Sequence, residues 1–506
     1  MELDWPKSFC FIGKSNPDGM LVPPEEVARS AVAVHELLLS HGIGAGDRIA
    51  LWLSQGACQL AAILGCWMAG ATFCFLPSFA GRSKSERSQE RIEEVLTTLR
   101  PRLLLTAKVG KLPDSIPDWI PMVRMPDASA RVPGTDPLTL IADRDPDDIA
   151  FVQFTSGSTG GAKGAVVRFG QLKANLDAIA SRTHMSSQDC MVSWAPLYHD
   201  MGLMAILLPL SRGANIVLME TEHFVRRPTS WLEGISRFRG TVTTAPPTSL
   251  KLLTRRKALD VDLSSWRYAW IGGEMVFPGV LEEFEEAYVS AGLTRGVLQP
   301  TYGMAETVVG ISCGNPGDTC CVEKGVISCG PPLQGIDMCI VDEYGEAVPL
   351  GEEGRVMVRG PSVMRGYLGF EPFTENAWFD TGDLGFERAG RLHITGRVKD
   401  VLKRGAESFS ASLVEAVAED ALGLRTGRAA AFTIPRVDLG KEEIVLLVES
   451  RDWKEVHART VASAVATDLG LQIDIIRNTR GGRLPRTSSG KLMRQKAATL
   501  YSEGLV

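Results

Sequence analysis

FTSGSTGGAKG, residues 154–164, places four glycines, four hydroxyl side chains and one lysine in eleven positions. It lies between two runs that read as buried strands, IAFVQF (149–154) and AVV (165–167). A loop of this composition can turn successive backbone N–H groups inward around phosphate oxygens, because glycine tolerates the backbone conformations required. Gly157 and Gly160 supply that freedom; Thr155, Ser156, Ser158 and Thr159 add hydroxyls, and Lys163 adds charge. The bland alternative is a polar hairpin. The common triphosphate loop, G-x-x-x-x-G-K-[ST], is not met: Ala162 precedes Lys163 and Gly164 follows it. A phosphate cradle of another kind is predicted.

Outward from the loop, apolar runs of β type alternate with helical periodicity. Residues 25–42 read as a helix closed by Gly42, 47–53 as a strand, and 57–76 as a buried helix running into a strand. Further strand-like runs are ANIVLM (214–219), GTVTTA (240–245) and RYAWIG (267–272), with helical stretches such as SWLEGISRF between them. This alternation predicts an α/β fold of mostly parallel sheets covered by helices. From about 328 a small antiparallel β-unit is expected, and after RLHITGR a compact α+β segment. The expected division is a large domain over 1–396, a hinge at 397–400 and a small domain over 401–506.

Composition narrows the class. At 506 residues the chain is too long for one core. With 44% hydrophobic and 23% charged residues it reads as a globular protein. A net charge of −6 gives no nucleic-acid footprint, and Arg255-Arg256-Lys257 reads as a solvated helix face. Ten scattered cysteines without metal-site spacing read as reduced and mostly buried. The acidic start MELDWPKSF is unlike a signal peptide, and the 57–76 run is broken by Gln59 and Gly70, so no membrane span and a cytoplasmic location are expected.

Six further stretches follow the loop in a fixed order: WAPLYHDMGL (194–203), IGGE (271–274), TYGMAET (301–307), FDTGD (379–383), TGRVKD (395–400) and LPRTSSGK (484–491). Together they resemble the adenylate-forming superfamily of acyl-CoA synthetases, fatty acyl-AMP ligases and peptide-synthetase adenylation domains, over nearly the whole chain. The resemblance implies two half-reactions. A carboxylate attacks the α-phosphate of ATP, and a thiol of CoA or carrier-protein pantetheine then displaces AMP. It implies that residues 155–163 hold the β- and γ-phosphates. Gly272, Gly273 and Glu274 would flank the nucleotide with Thr301, Tyr302, Gly303, Met304 and Ala305, Tyr302 stacking on adenine. Glu306 would ligate Mg²⁺, with Thr155 as a weaker candidate. Asp383 would accept from the ribose hydroxyls with help from Arg397. Lys491 would be the catalytic cation of adenylation, carried by a flexible run, Lys399 the hinge, and His199 a gate between nucleotide and acyl pocket.

Departures from the family pattern bear on the acceptor. Ala162 replaces a usual proline, and Ala305 a usual threonine. Ser410 and Val414 stand where relatives have proline and glutamate, with Ser410 or Ser412 expected to cap the next helix. Ala305, PLYHDMGL and Gln153 resemble the acyl-AMP ligase branch, whereas the short 367–380 segment lacks that branch's insertion and favours CoA. Residues around 199–205, 243–249, 271–276 and 301–309 are expected to line an acyl pocket with no evident charged residue to grip an amino acid's ammonium, which suits a hydrophobic carboxylic acid. Delivery to an acyl carrier protein, or catalysis of the thioester-forming half alone, are the alternatives.

Overall fold

In the computed structural model, the structure describes residues 3–77, 86–107, 116–127, 136–155, 163–254, 260–374, 376–404, 407–436, 441–479, 481–486 and 491–506. Two large sheets dominate. One has six strands in the order Met122–Arg124, Leu103–Thr106, Arg48–Trp52, Thr72–Phe75, Ile149–Phe154 and Gly164–Arg168, all parallel except the last pair. The second has eight, with Ser312–Cys313, Leu298–Tyr302, Tyr268–Ile271, Val242–Ala245, Cys190–Ser193, Asn215–Met219, Phe9–Ile12 and Met20–Val22 in that order. Only its two outermost strands run antiparallel to their neighbours.

The expected elements form for the anticipated reasons. Helix Pro24–Ser40 has proline in its first turn followed by Glu25 and Glu26, which suit the positive end of the helix dipole. Helix Ala57–Ala69 is buried almost all round and ends at Gly70, whose φ of +74° is the left-handed cap that glycine adopts without strain. The strand Thr72–Phe75 follows directly, so the apolar 57–76 run is a core helix and a core strand. Its packing against Pro24–Ser40 is close: a Cβ on Gly65 would lie 2.6 Å from Val34 Cβ. Among the described residues no helix is long and apolar enough to cross a membrane.

Beyond these sheets, strands Asp337–Val341, Gly354–Arg359, Phe379–Arg388 and Arg391–Arg397 form an antiparallel sheet, as the 328–397 texture predicts. The C-terminal segment buries an apolar cluster of its own, including Leu402, Val414, Leu446 and Val461. It contacts the larger part through Lys251 Nζ and Asp420 Oδ1, 3.2 Å apart.

One local expectation is corrected here. Helix Ala411–Ala421 begins after Ser410, but neither serine caps it: Ser410 makes no side-chain cap bond, and Ser412 Oγ accepts from Arg494 at 2.8 Å. The useful carboxylate of this helix is Glu415, one residue beyond Val414. It accepts from Arg494 Nε at 2.8 Å and from the Ala431 N–H at 2.9 Å.

Candidate active site

The site lies beyond the carboxyl ends of the eight-stranded sheet, where open α/β sheets generally bind ligands. Strand Leu298–Tyr302 ends in Tyr302, strand Tyr268–Ile271 runs into Gly272 and Gly273, and the loop after Cys190–Ser193 carries His199. Two glycines there are fixed by space. A Cβ on Gly272 would lie 2.7 Å from Thr301 Oγ1, and one on Gly303 only 1.6 Å from the Val309 carbonyl oxygen. The backbone beside Tyr302 is therefore pressed against its own returning loop, which leaves a smooth wall.

Tyr302, Asp383 and Arg397 form one chain of contacts. The Tyr302 hydroxyl donates to Asp383 Oδ2 at 2.6 Å, and Arg397 Nε stands 3.1 Å from Asp383 Oδ1. Asp383 and Arg397 are cross-strand partners, so the sheet itself sets this geometry. Burial pushes the Asp383 carboxyl up, opposed by Arg397 and by the Tyr302 hydroxyl. Burial likewise raises the Tyr302 phenol, so it remains a neutral donor.

At the phosphate loop, Phe154 pairs with Gly164 to close the hairpin, and the Thr155 N–H donates to the Lys163 carbonyl at 3.0 Å. Ser156, Gly157, Ser158, Thr159 and Gly160 lie outside the described residues, as do Ala162 and the 255–257 cluster. Lys163 Nζ stands 5.2 Å from the centre of the Tyr367 ring. The Tyr367 hydroxyl donates to Glu306 Oε1 at 2.8 Å. Tyr367 thus links the loop lysine to the expected metal ligand, a role sequence reading missed. Its signal was present only as an RGY triplet next to the noted short segment. Burial raises the Glu306 carboxyl, with the Tyr367 hydroxyl opposing it. Ala305 is buried in a small apolar cluster with Ala165 and Met364, which accounts for a methyl where relatives carry a hydroxyl.

Lys491 is brought into this site from the far end of the chain. Its charge lowers the carboxyls of Asp200, Glu274 and Asp383, each of which burial pushes up more strongly. Burial and the same lysine push His199 down to about 4, so its ring is neutral at physiological pH. Lys399 lies in a single turn of 3₁₀ helix, Val398–Asp400. Asp400, its neighbour, bonds Arg494 at 2.5 Å, which ties the expected hinge to the stretch carrying Lys491.

A cavity with about 620 Å³ of empty space, partly open to solvent, adjoins these groups. Met201, Met204, Thr244, Gly273, Tyr302 and Val309 come from the expected segments, whereas Trp270, Ser312 and Leu333 were not foreseen. The expectation of a pocket with no evident charged residue is corrected: Asp200 lines it. That carboxylate stands inside the WAPLYHDMGL stretch. It begins helix Asp200–Leu210, with Oδ1 accepting from the Met201 N–H at 2.7 Å.

Comparison with known proteins follows this geometry. Residues 25–368 match the family model described as AMP-binding enzyme. The chain is 31% identical, over 96% of its length and 91% of the other's, to a Caulobacter vibrioides protein classed as an acyl-CoA synthetase. It is 28% identical to a medium-chain-fatty-acid–[acyl-carrier-protein] ligase of Moorena producens, over 98% of this chain and 93% of that one. A solved structure from studies of fatty acyl-adenylate ligases of E. coli and L. pneumophila superposes with a TM-score of 0.86. It has 26% identity and covers 99% of this chain and 96% of that one.

Proposed function

The chain belongs to the AMP-binding enzyme family, and from that premise we propose that it activates a hydrophobic carboxylic acid as acyl-AMP and passes the acyl group to CoA. The observation that carries this reading is the position of Lys491, close enough to Asp200, Glu274 and Asp383 for its charge to act on all three carboxyls. In the first half-reaction a carboxylate oxygen forms a bond to the α-phosphorus and pyrophosphate departs. Lys491 supplies positive charge where the pentacoordinate phosphorus gathers negative charge. Tyr302 offers a ring held by Asp383, and Asp383 with Arg397 receives the ribose. The chemistry is mainly positioning and charge neutralisation, which this arrangement provides.

Glu306 fits a role as ligand for Mg²⁺. Its carboxylate is largely buried, no ion pair is recorded for it among the described residues, and a hard cation suits carboxylate and phosphate oxygens. Mg²⁺ held there by Glu306, with Thr155 at the foot of the loop as second ligand, would neutralise phosphate charge. Neutral His199 stands between nucleotide and cavity as an uncharged gate. In the second half-reaction, residues 401–506 turn about 397–400 and withdraw Lys491. The thiol sulfur then bonds the acyl carbon and AMP leaves.

CoA is favoured because the 367–380 segment is short and closed on itself. Phe373 N–H donates to the Arg365 carbonyl at 2.7 Å, and the Phe373 ring lies 6.4 Å from that of Tyr367 and 5.9 Å from that of Phe379. The Moorena relative's named acceptor favours a carrier protein as the second reading. Carboxylate-dependent exchange of labelled pyrophosphate into ATP tests adenylation, and adding CoA or a charged carrier protein tests the acceptor. Thioester formed only from synthetic acyl-AMP, with no exchange for any acid, would restrict the enzyme to the second half-reaction.

A further inference from the structure

The cavity wall is apolar over most of its extent, yet two of its residues carry hydrogen-bonding atoms with no partner among the described residues. These are Trp270 Nε1 and Ser312 Oγ. Trp270 is 9% exposed and Ser312 1%. They stand on different strands: Trp270 is opposite Thr244 on one side and Gln299 on the other, and Ser312 is opposite Tyr302. A buried polar group without a partner is costly, and native folds rarely leave one without a reason.

The surrounding fold supplies partners where an indole is purely structural. Trp67, Trp231 and Trp266 each donate Nε1 to a backbone carbonyl, at 2.9, 3.4 and 3.2 Å. Trp194 Nε1 also has no partner among the described residues, but Trp194 stacks on Phe224 and does not line this cavity. An indole N–H can only donate, so whatever completes Trp270 must offer an acceptor. A serine hydroxyl can donate or accept, which suits the same class of group.

We propose that Trp270 and Ser312 recognise an oxygen on the acyl group, so that the site selects a hydrophobic acid bearing a hydroxyl or oxo substituent over its unsubstituted counterpart. The proposal rests on reading this cavity as the acyl pocket of an adenylating enzyme. A pocket built to hydrogen-bond a substituent rejects the analogue lacking it far more strongly than an apolar pocket distinguishes one methylene. Asp200 is the acidic residue of this wall. Its Oδ1 accepts from the Met201 N–H, and burial raises its carboxyl against the opposing charge of Lys491.

Matched pairs of acids test this. Straight-chain acids are compared with their mid-chain oxo and hydroxy counterparts, and arylalkanoic acids with ring-hydroxylated and amino-substituted ones. Two readouts are used on the full-length protein: pyrophosphate exchange and calorimetric binding of the acid. At least one oxygenated acid is expected to exceed its unsubstituted partner by roughly 100-fold in kcat/KM. That ratio is expected to fall at least about tenfold in Trp270→Phe and in Ser312→Ala, the second being a small change that keeps the strand. Equal or better use of every unsubstituted acid, or a preference for the amino-substituted ones, would overturn the inference while leaving adenylation intact. Preferential binding of an oxygenated acid without exchange would support the inference and sink adenylation instead.

Discussion

Tyr367→Phe isolates one hydroxyl. The ring that faces Lys163 at 5.2 Å is kept, while the donor to Glu306 Oε1 at 2.8 Å is removed. Glu306 is a carboxylate that burial already pushes toward its protonated form, and the Tyr367 hydroxyl is the leading group opposing that push. Hydrogen bonds to charged groups contribute about 1.5–3 kcal/mol, and about 1.4 kcal/mol is a factor of ten. Loss of kcat/KM for Mg-ATP by roughly 10- to 100-fold follows from those magnitudes. The sign of the pH effect is also fixed. A carboxylate with a raised folded value is ionised only above that value, and removing its donor raises it further. The acid limb of pyrophosphate exchange should therefore move to higher pH in Tyr367→Phe, and excess Mg²⁺ should recover part of the rate. The assay is exchange measured across pH and Mg²⁺ concentration for both proteins, with melting temperature as the control for folding. A variant within twofold of the parent at every pH, with the limb unmoved, would refute the assignment of Glu306 and the role of Tyr367 together.

Lys491→Ala should lower adenylation by roughly 10²–10³ while thioester formation from synthetic acyl-AMP survives, since the lysine withdraws before that step. Asp383→Asn keeps the shape but removes the charge between Tyr302 and Arg397; equilibrium titration should show weaker ATP binding, by roughly tenfold or more. Gly303→Ala puts a Cβ 1.6 Å from the Val309 carbonyl oxygen, so nucleotide binding should be lost and the melting temperature lowered; unchanged binding would mean the loop yields. Far from the site, burial alone would raise the Asp189 carboxyl, but Arg267 grips it through two contacts of 2.7 Å, joined by Thr241 and the Ser186 N–H, and holds it below the usual carboxylate range. Its stabilising contribution is present above the unfolded-state value and is lost as pH falls through the depressed folded value. Asp189→Asn, with Arg267 31% exposed, should cost about 1.5–3 kcal/mol in denaturant unfolding near neutral pH, and less in strong acid.

Much of this was legible because it is local. The helix at 57–69 could be told from a membrane span by Gly70, whose left-handed conformation ends it, and by the β-type residues that follow. Tyr302, Asp383 and Arg397 stood in short ordered motifs, and the structure brings them into direct contact. What escaped the sequence depends on residues far apart meeting in space. Nothing in RGYLGF announces that Tyr367 reaches Glu306, 61 positions earlier. Asp200 was not singled out, because a linear pattern does not reveal which carboxylate faces a cavity. Glu415 was passed over for Val414 because motif counting assumes register, whereas burial and the Arg494 fork select the residue that faces inward.

The distribution of charge bears on the role proposed for Lys491, which lies just before the last helix, Arg494–Ser502. Asp200, Glu274, Glu306 and Asp383 all come from residues 1–396, and burial disfavours the ionised form of each. In their ionised forms these carboxylates alone would oppose a polyphosphate. Among the described residues its counter-charges are Lys163 at the loop, Arg397 at the proposed hinge and Lys491 from the C-terminal segment. Lys163 sits beside the edge strand Gly164–Arg168 and Arg397 ends a strand of the four-stranded sheet, whereas Lys491 comes from the C-terminal segment. That segment is held to residue 400 through Arg494. On the proposed mechanism, docking of the segment and accommodation of the α-phosphate are coupled: the charge of Lys491 favours the ionised forms of Asp200, Glu274 and Asp383 and also offsets that of the phosphate.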